Sequence, residues 1–324
     1  MSAAKLIVGI PSKGRLQENA GAFFARAGLG LVQQGGARNY RGRLNGLDQV
    51  EVAFLSAAEI AGEIASGSIH LGVTGRDQIE ETISDWADRV ELVLPLGFGH
   101  CDVVVAVPAA WIDVRTLADL DDVAADFRPR HGRRLKVATK YVNLTRRFFA
   151  SHGIADYRIV ESLGATEGAP ATGAADLIVD ITTSGATLAA NGLKRLDDGL
   201  ILASEAHLAA SLSADWSTEA REGLRLLLDR IEAEEDARLQ VAIEADAKSP
   251  ARAAKEAEKR FGAKAPFPAR APLTLLCPSG NAAACADFLR QEAGASVVTV
   301  RRVEGVFRKM SPLYDRLIKR VGRR

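Results

Sequence analysis

Four short stretches carry side chains that could do chemistry, and each follows a run of apolar residues. The densest is VDITTSGATL at 179–188, where Asp180 closes an apolar run and Thr182, Thr183, Ser184 and Thr187 crowd around Gly185. Hydroxyls donate to anions, a glycine lets the backbone approach a ligand, and the N–H groups opening a helix point outward unpaired. The stretch therefore suits a phosphate, although a turn whose hydroxyls cap the following helix would explain it equally well. The other three loops are PSKGR, VTGRD and ATKYVN. They supply Lys13, Gly14 and Arg15, then Thr74, Gly75, Arg76 and Asp77, then Thr139, Lys140, Tyr141 and Asn143. Taken singly they read as a basic surface turn, an Arg–Asp pair holding its own loop, and a solvated strand end. Four such loops in equivalent positions favour a ligand with several phosphates, met by cations and hydroxyls.

Other chemistries find little support. The histidines His70, His100, His131, His152 and His207 have neither HxH nor HExxH spacing, which argues against zinc. The GxSxG elbow and the GxxxxGK[ST] loop are absent, and no GxGxxG follows the first strand. Cys101, Cys277 and Cys285 lack metal or CxxC spacing and read as free thiols of a reducing compartment. A net charge of +1 offers no basic surplus for nucleic acid or a membrane surface. The start, MSAAKLIVGIPSKGR, lacks the pattern of a secretory leader, and no apolar run approaches the roughly 20 residues of a membrane span. A soluble, cytoplasmic protein is expected.

The loops need elements to hold them. LIVGI at 6–10 leads into a helix-like QENAGAFFARAGL, and HLGVTGRD at 70–77 into IEETISDWADRV. LKVATKYVN at 135–143 leads into LTRRFFASHG, and LIVDITTSGAT at 177–187 repeats the form. Uninterrupted apolar strands alternating with helices predict parallel sheets covered on both faces, with ligands outside the carboxyl ends of the strands. A chain of 324 residues points to two or three domains. We expect a first α/β lobe over 1–100, to which 186–212 returns, and a second over 101–185 carrying the hydroxyl-rich loop. DDVAADFRPRHGRR at 121–134 reads as an irregular surface excursion. The span 213–324 reads as a helical linker and a small α/β domain. That domain would hold a strand at 239–246, a helix at 249–261, a proline-bearing linker at 262–272, a strand–helix–strand unit and a basic tail helix.

An acid closing an apolar strand ahead of hydroxyls and Gly-x-Thr resembles the diphosphate-sugar loop of phosphoribosyltransferases. The adjacent acid pair common in that loop is missing; Asp176 stands four residues before Asp180. The fuller string ADLIVDITTSGATLAANGLKRL is similar to the ATP phosphoribosyltransferase family. GIPSKGRL, HLGVTGRDQIEE, LGFGHCDVVVAVP, KVATKYVNLTRRFF and ESLGATEGAP match the same family in order, so the resemblance spans about residues 5–212. It implies an α/β fold of two periplasmic-binding-protein-like lobes with a central cleft, plus a smaller C-terminal α/β domain. It also implies transfer of a phosphoribosyl group from phosphoribosyl diphosphate to N1 of ATP, with Mg2+ held mainly by the substrate diphosphate and no protein metal ligands assigned.

By the family's motif, Asp180, Thr182, Thr183, Ser184, Gly185, Ala186, Thr187 and Leu188 would hold the 5-phosphate and ribose, and Glu167 would meet the ribose hydroxyls. Lys13, Gly14, Arg15, Thr74, Gly75, Arg76, Asp77 and Lys140 would face the nucleotide or pyrophosphate. Lys13, Arg15 and Asp180 would be catalytic. One departure is Val142, where the family usually has proline. Long members carry a ferredoxin-like domain that binds histidine as feedback inhibitor, whereas short members rely on a separate regulatory subunit. The region after 213 looks one strand short of that domain. L-histidine feedback through 239–324, a homo-oligomer and a regulatory subunit are therefore expectations. The competing readings are a non-catalytic two-lobed binding protein for a phosphorylated metabolite and a nucleobase phosphoribosyltransferase.

Overall fold

The computed structural model describes residues 5–33 and 40–322, so the first four residues of the N-terminal reading lie outside it. The first lobe opens with β1 (Leu6–Pro11), α1 (Gly14–Arg26), β2 (Leu31–Gln33), β3 (Arg41–Leu44) and β4 (Leu47–Leu55). It continues through α2 (Ala57–Ser66), β5 (Leu71–Gly75), α3 (Arg76–Thr82), α4 (Trp86–Arg89) and β6 (Val90–Pro95). The second lobe holds β7 (Cys101–Pro108), α5 (Leu117–His131), β8 (Leu135–Thr139), α6 (Val142–Ser151) and β9 (Tyr157–Glu161). It closes with β10 (Leu177–Thr182), α7 (Ala186–Ala190) and β11 (Leu193–Ser204). The chain goes on through β12 (Ala206–Ser211), α8 (Thr218–Arg238), β13 (Gln240–Ala245), α9 (Pro250–Phe261), β14 (Leu273–Pro278), α10 (Ala282–Gln291), β15 (Val298–Arg302) and α11 (Pro312–Val321).

One seven-stranded sheet runs β2-β3-β4-β1-β5-β12-β6, and a five-stranded sheet runs β11-β7-β10-β8-β9. This is the two-lobed α/β architecture that the resemblance implied. The sheets are mixed, however, not wholly parallel. β1 runs parallel to β4 and β5, and β8 parallel to β9 and β10, but β12 is antiparallel to β5 and β7 to β10. β7 and β12 are the strands entered directly after the two crossings between lobes, at 96–101 and at 205, and β3 is antiparallel to β2 and β4 in a local meander. The strands β1 and β5 are buried almost throughout, which is why their sequences lack polar alternation.

Four further expectations are corrected. β11 pairs with β7 over Leu193–Ser204, so α7 and β11 stay in the second lobe and the return to the first begins at 205, not 186. The supposed excursion at 121–134 is largely helix α5, opened by a capping box of Thr116 and Asp119 and seated by buried Leu117, Leu120 and Ala124. Its Pro129 sits in the last turn, ahead of a left-handed Gly132 cap. The 213–324 region does not form one body. Leu224, Leu227, Leu228 and Ile231 of α8, and Leu317 of α11, belong to the core of the first lobe. The small domain is therefore the three-stranded antiparallel sheet β14-β13-β15 with α9 and α10. The proline-bearing stretch is not free linker either, since Lys264 and Leu276 exchange backbone hydrogen bonds of 2.8 Å.

His70 serves as a packing group of the first lobe. Its Nδ1 accepts from the Ile7 N–H at 3.1 Å, and its Nε2 lies 2.9 Å from the Asp215 carbonyl, against Trp216. Burial holds it below the usual histidine range, so it stays a neutral packing group. No helix among the described residues is long and apolar enough to cross a membrane.

Candidate functional site

Asp180 lies near the carboxyl end of β10, one strand from β8, whose own end delivers Lys140. Because these two strands are parallel neighbours, their following loops open on the same side. There a cavity of about 410 Å³ is lined by Lys140, Glu167, Asp180, Thr182, Thr183, Ser184 and Thr187. The loop is tied internally: the Thr182 hydroxyl accepts the Gly185 N–H at 2.9 Å, and Thr183 donates to the His100 carbonyl at 3.3 Å. Gly185 has φ 76°, a left-handed conformation a side chain would strain. α7 has only five residues, so its dipole adds little and the hydroxyls and backbone of the loop must supply most of any anion contact.

Asp180 Oδ1 accepts the Ile181 N–H at 2.8 Å, which aims the carboxylate. Burial raises its proton affinity above the usual carboxylate range, Glu167 adds to this, and the Ile181 amide and Lys140 oppose it. Glu167 sits in a 3-10 turn, Thr166–Gly168, entered through Ala165 at φ 49°. A non-glycine residue held there is strained backbone of the kind that clusters at ligand sites. The Lys140 ammonium stands 5.0 Å from the centre of the Tyr141 ring. Asp176 is no second acid of a pair: Arg133 grips it with bonds of 2.6 and 2.8 Å, and it accepts the Lys136 N–H.

In the first lobe, β1 and β5 are likewise parallel neighbours, so the Lys13–Arg15 and Gly75–Asp77 loops adjoin. Lys13, Gly14 and Arg15 are exposed, and among the described residues neither cation has an ion-pair partner. The Gly75–Asp77 loop is different. Thr74 is buried and donates to the Ala57 carbonyl at 2.9 Å, and Arg76 pairs with Glu80 at 2.6 Å beneath Trp86. Asp77 is buried, receiving the Ser204 hydroxyl and the Tyr141 hydroxyl at 2.8 Å each. Thr74 and Asp77 are thus committed internally, whereas the Arg76 side chain stays 40% exposed beside its pair and Gly75 offers backbone. Leu188 is likewise core, anchoring α7, while Ala186 opens that helix.

The structure adds groups that spacing did not single out. Leu163, Gly164, Ala165, Thr166 and Ile181 also line the cavity. Ser204 serves Asp77 from 127 positions away, a pairing no local pattern reveals. Cys101 lies near Asp77 and Ser204, and burial pushes its thiol up to about 11, so it is an inert packing group. The arrangement can hold an anion and a polyol in one lobe and face them with free cations from the other. Among the described residues no cluster of three His, Cys, Asp or Glu could hold a metal by itself.

Known proteins give the same direction. The family model for ATP phosphoribosyltransferase matches residues 56–233. An ATP phosphoribosyltransferase of Afipia carboxidovorans is 56% identical over 315 residues, covering 96% of this chain and 97% of that one. One from Bradyrhizobium diazoefficiens is 57% identical over 319 residues, covering 97% and 98%. Among solved structures, a chain of the ATP phosphoribosyl transferase (HisG:HisZ) complex from Thermotoga maritima matches with a TM-score of 0.53 and 23% identity. The match covers 70% of this chain and 96% of that one, a likeness of fold.

Proposed function

The chain belongs to the ATP phosphoribosyltransferase family, and on that premise we propose that the cavity around Asp180 seats the ribosyl donor while Lys13 and Arg15 meet the nucleotide. The enzyme transfers the 5-phosphoribosyl group of phosphoribosyl diphosphate to N1 of ATP and releases pyrophosphate, the first step of L-histidine biosynthesis. The observation that supports the site is the gathering of Asp180, Glu167, Lys140 and the hydroxyl loop on one cavity.

Breaking the bond from C1 to pyrophosphate leaves positive charge on the ribose and negative charge on the departing group. Carboxylates at the ribose and cations at the diphosphate match both. In this reading Asp180 and Glu167 accept hydrogen bonds from the ribose hydroxyls. Thr182, Thr183, Ser184 and Thr187, with the backbone at Gly185, hold the 5-phosphate, and Lys140 stands by the diphosphate. Adenine N1 carries no proton at neutral pH, so alignment of N1 with C1 does the work a general base would otherwise do. A Mg2+ ion would be carried mainly by the diphosphate oxygens and would supply further charge neutralisation.

Replacing Arg15 with alanine is expected to raise the KM for ATP by about 10- to 100-fold, the worth of a charge-assisted contact. The KM for the ribosyl donor should move little. Steady-state kinetics check this; an unchanged KM for ATP removes Arg15 from the nucleotide site.

The proposal extends to location and control. We place the enzyme in the cytoplasm, where ATP and the donor are made, and read it as a homo-oligomer. The small domain, three strands and two helices, is proposed to take L-histidine as feedback inhibitor, and a separate regulatory subunit is the other route to control. Titration calorimetry of the full chain with L-histidine should show saturable binding matched by inhibition. Neither heat nor inhibition would assign control elsewhere.

A further inference from the structure

Helix α3 begins where the β5 loop ends, and helix α6 begins directly after Lys140 and Tyr141. The two helices belong to opposite lobes, yet they are bonded end to flank. The Glu81 carboxylate accepts the Asn143 N–H at 2.9 and 3.1 Å and the Leu144 N–H at 2.9 Å. In return, Asn143 Nδ2 donates to the Glu81 carbonyl at 2.8 Å, and Arg147 donates to the Glu80 carbonyl at 2.6 Å.

Helices are ordinarily capped by the residue at their own N-terminus. The N-cap of α6 is Tyr141, whose side chain makes no capping bond. The opposite lobe supplies the cap instead, as a carboxylate, the group that both the unpaired N–H donors and the helix dipole favour. Asp77, four residues before Glu81, lies on the same face of α3 and holds Tyr141 and Ser204. Ser204 is the last residue before the chain recrosses between lobes, so both acids act beside the hinge. Each lobe also has cores of its own, so breaking this contact loosens the angle between lobes, with the Asp77–Tyr141 and Arg147–Glu80 bonds remaining, and dismantles neither lobe.

We infer that Glu81 is a positioning residue for the transfer reaction: by capping α6 from the other lobe it fixes the lobe angle, and with it the placement of the Lys13–Arg15 loop of the first lobe relative to the donor cavity of the second. The inference rests on the reading of that cavity given above. Glu81 touches no substrate in this picture. Its effect falls on the step in which both substrates must be aligned, and spares binding of the donor alone, which uses the second lobe.

The test compares Glu81→Ala and Glu81→Gln with the unaltered enzyme. Expected is a fall in kcat of about 10-fold or more for Glu81→Ala, with Glu81→Gln between. The dissociation constant of phosphoribosyl diphosphate, measured without ATP, should stay within about twofold. Small-angle scattering of the ligand-free protein should show a larger radius of gyration for Glu81→Ala. If Glu81→Ala fails to fold, Asn143→Ala, which removes one bond from the other side, should lower kcat in the same direction by less. An unchanged kcat, or a loss of donor affinity as large as the loss of kcat, overturns the inference. Failure of the cavity reading would look different: the donor would then bind Asp180→Asn as well as the unaltered enzyme.

Discussion

Asp180→Asn is expected to lower kcat/KM for the ribosyl donor by about 100-fold, or about 2.7 kcal/mol of transition-state stabilisation. Asparagine keeps the shape and can still accept the Ile181 N–H, so the loop should hold its form. What disappears is the charge that meets the ribose as positive charge builds at C1. Stability should move the other way. Burial raises the folded proton affinity of Asp180, so its ionisation costs nothing below the unfolded carboxylate range, and the penalty appears as pH rises through the raised folded value. At neutral pH the asparagine variant should unfold at an equal or higher urea concentration. An enzyme that sets a carboxylate where burial opposes its charge has given up stability for function. A variant with normal donor kinetics would remove Asp180 from the site.

Leu317→Ala should destabilise the first lobe by about 2–4 kcal/mol, although residue 317 lies beyond the small domain in sequence. Leu317 is fully buried, the only fully buried side chain of α11, and packs in the core that includes β1, β4 and α8. Truncating it removes the helix's chief anchor and leaves a void. Arg316 and Arg320 both reach Glu91, but their side chains are about half exposed, and such pairs add little. Urea unfolding followed by tryptophan fluorescence is a suitable measure, since Trp216 lies in the same core. A loss under about 1 kcal/mol would show that α11 merely rests on the lobe.

How far such features could be read beforehand depends on their range. The loops at Lys13, Gly75, Lys140 and Asp180 were legible because a buried strand leaves an apolar run and its end a polar cluster. The partner of Asp77 was not, because Ser204 becomes its neighbour only once β11 and β12 are threaded between the lobes. Helix α5 was obscured by Arg128, Pro129 and Arg130, although Thr116 and Asp119 already carried the spacing of a capping box. The stripe of α8 showed that it buries one face, but spacing names no partner. Position in the chain points that face to the small domain, whereas Leu224 and Leu228 sit in the first lobe. Thr74 and Asp77 looked like ligand groups because a short polar loop reads the same whether its side chains turn inward or outward.

The return of α11 to the first lobe makes the small domain a cassette spliced into that lobe. Glu232 of α8 bonds Ser311 and the Leu313 N–H at the start of α11, and Val306 donates to the Ala233 carbonyl at 2.9 Å. Arg308 pairs with Asp236 at 2.5 Å, so the outgoing helix and the incoming segment of the graft lie side by side. Cutting the chain between β12 and α8 strips Leu224, Leu228 and Leu317 from a core they complete, and cutting it between α8 and α11 still strips Leu317. Joining the end of α8 to the segment before Ser311 through a few glycines would instead excise the cassette and spare its host, because closing so short a gap costs little entropy.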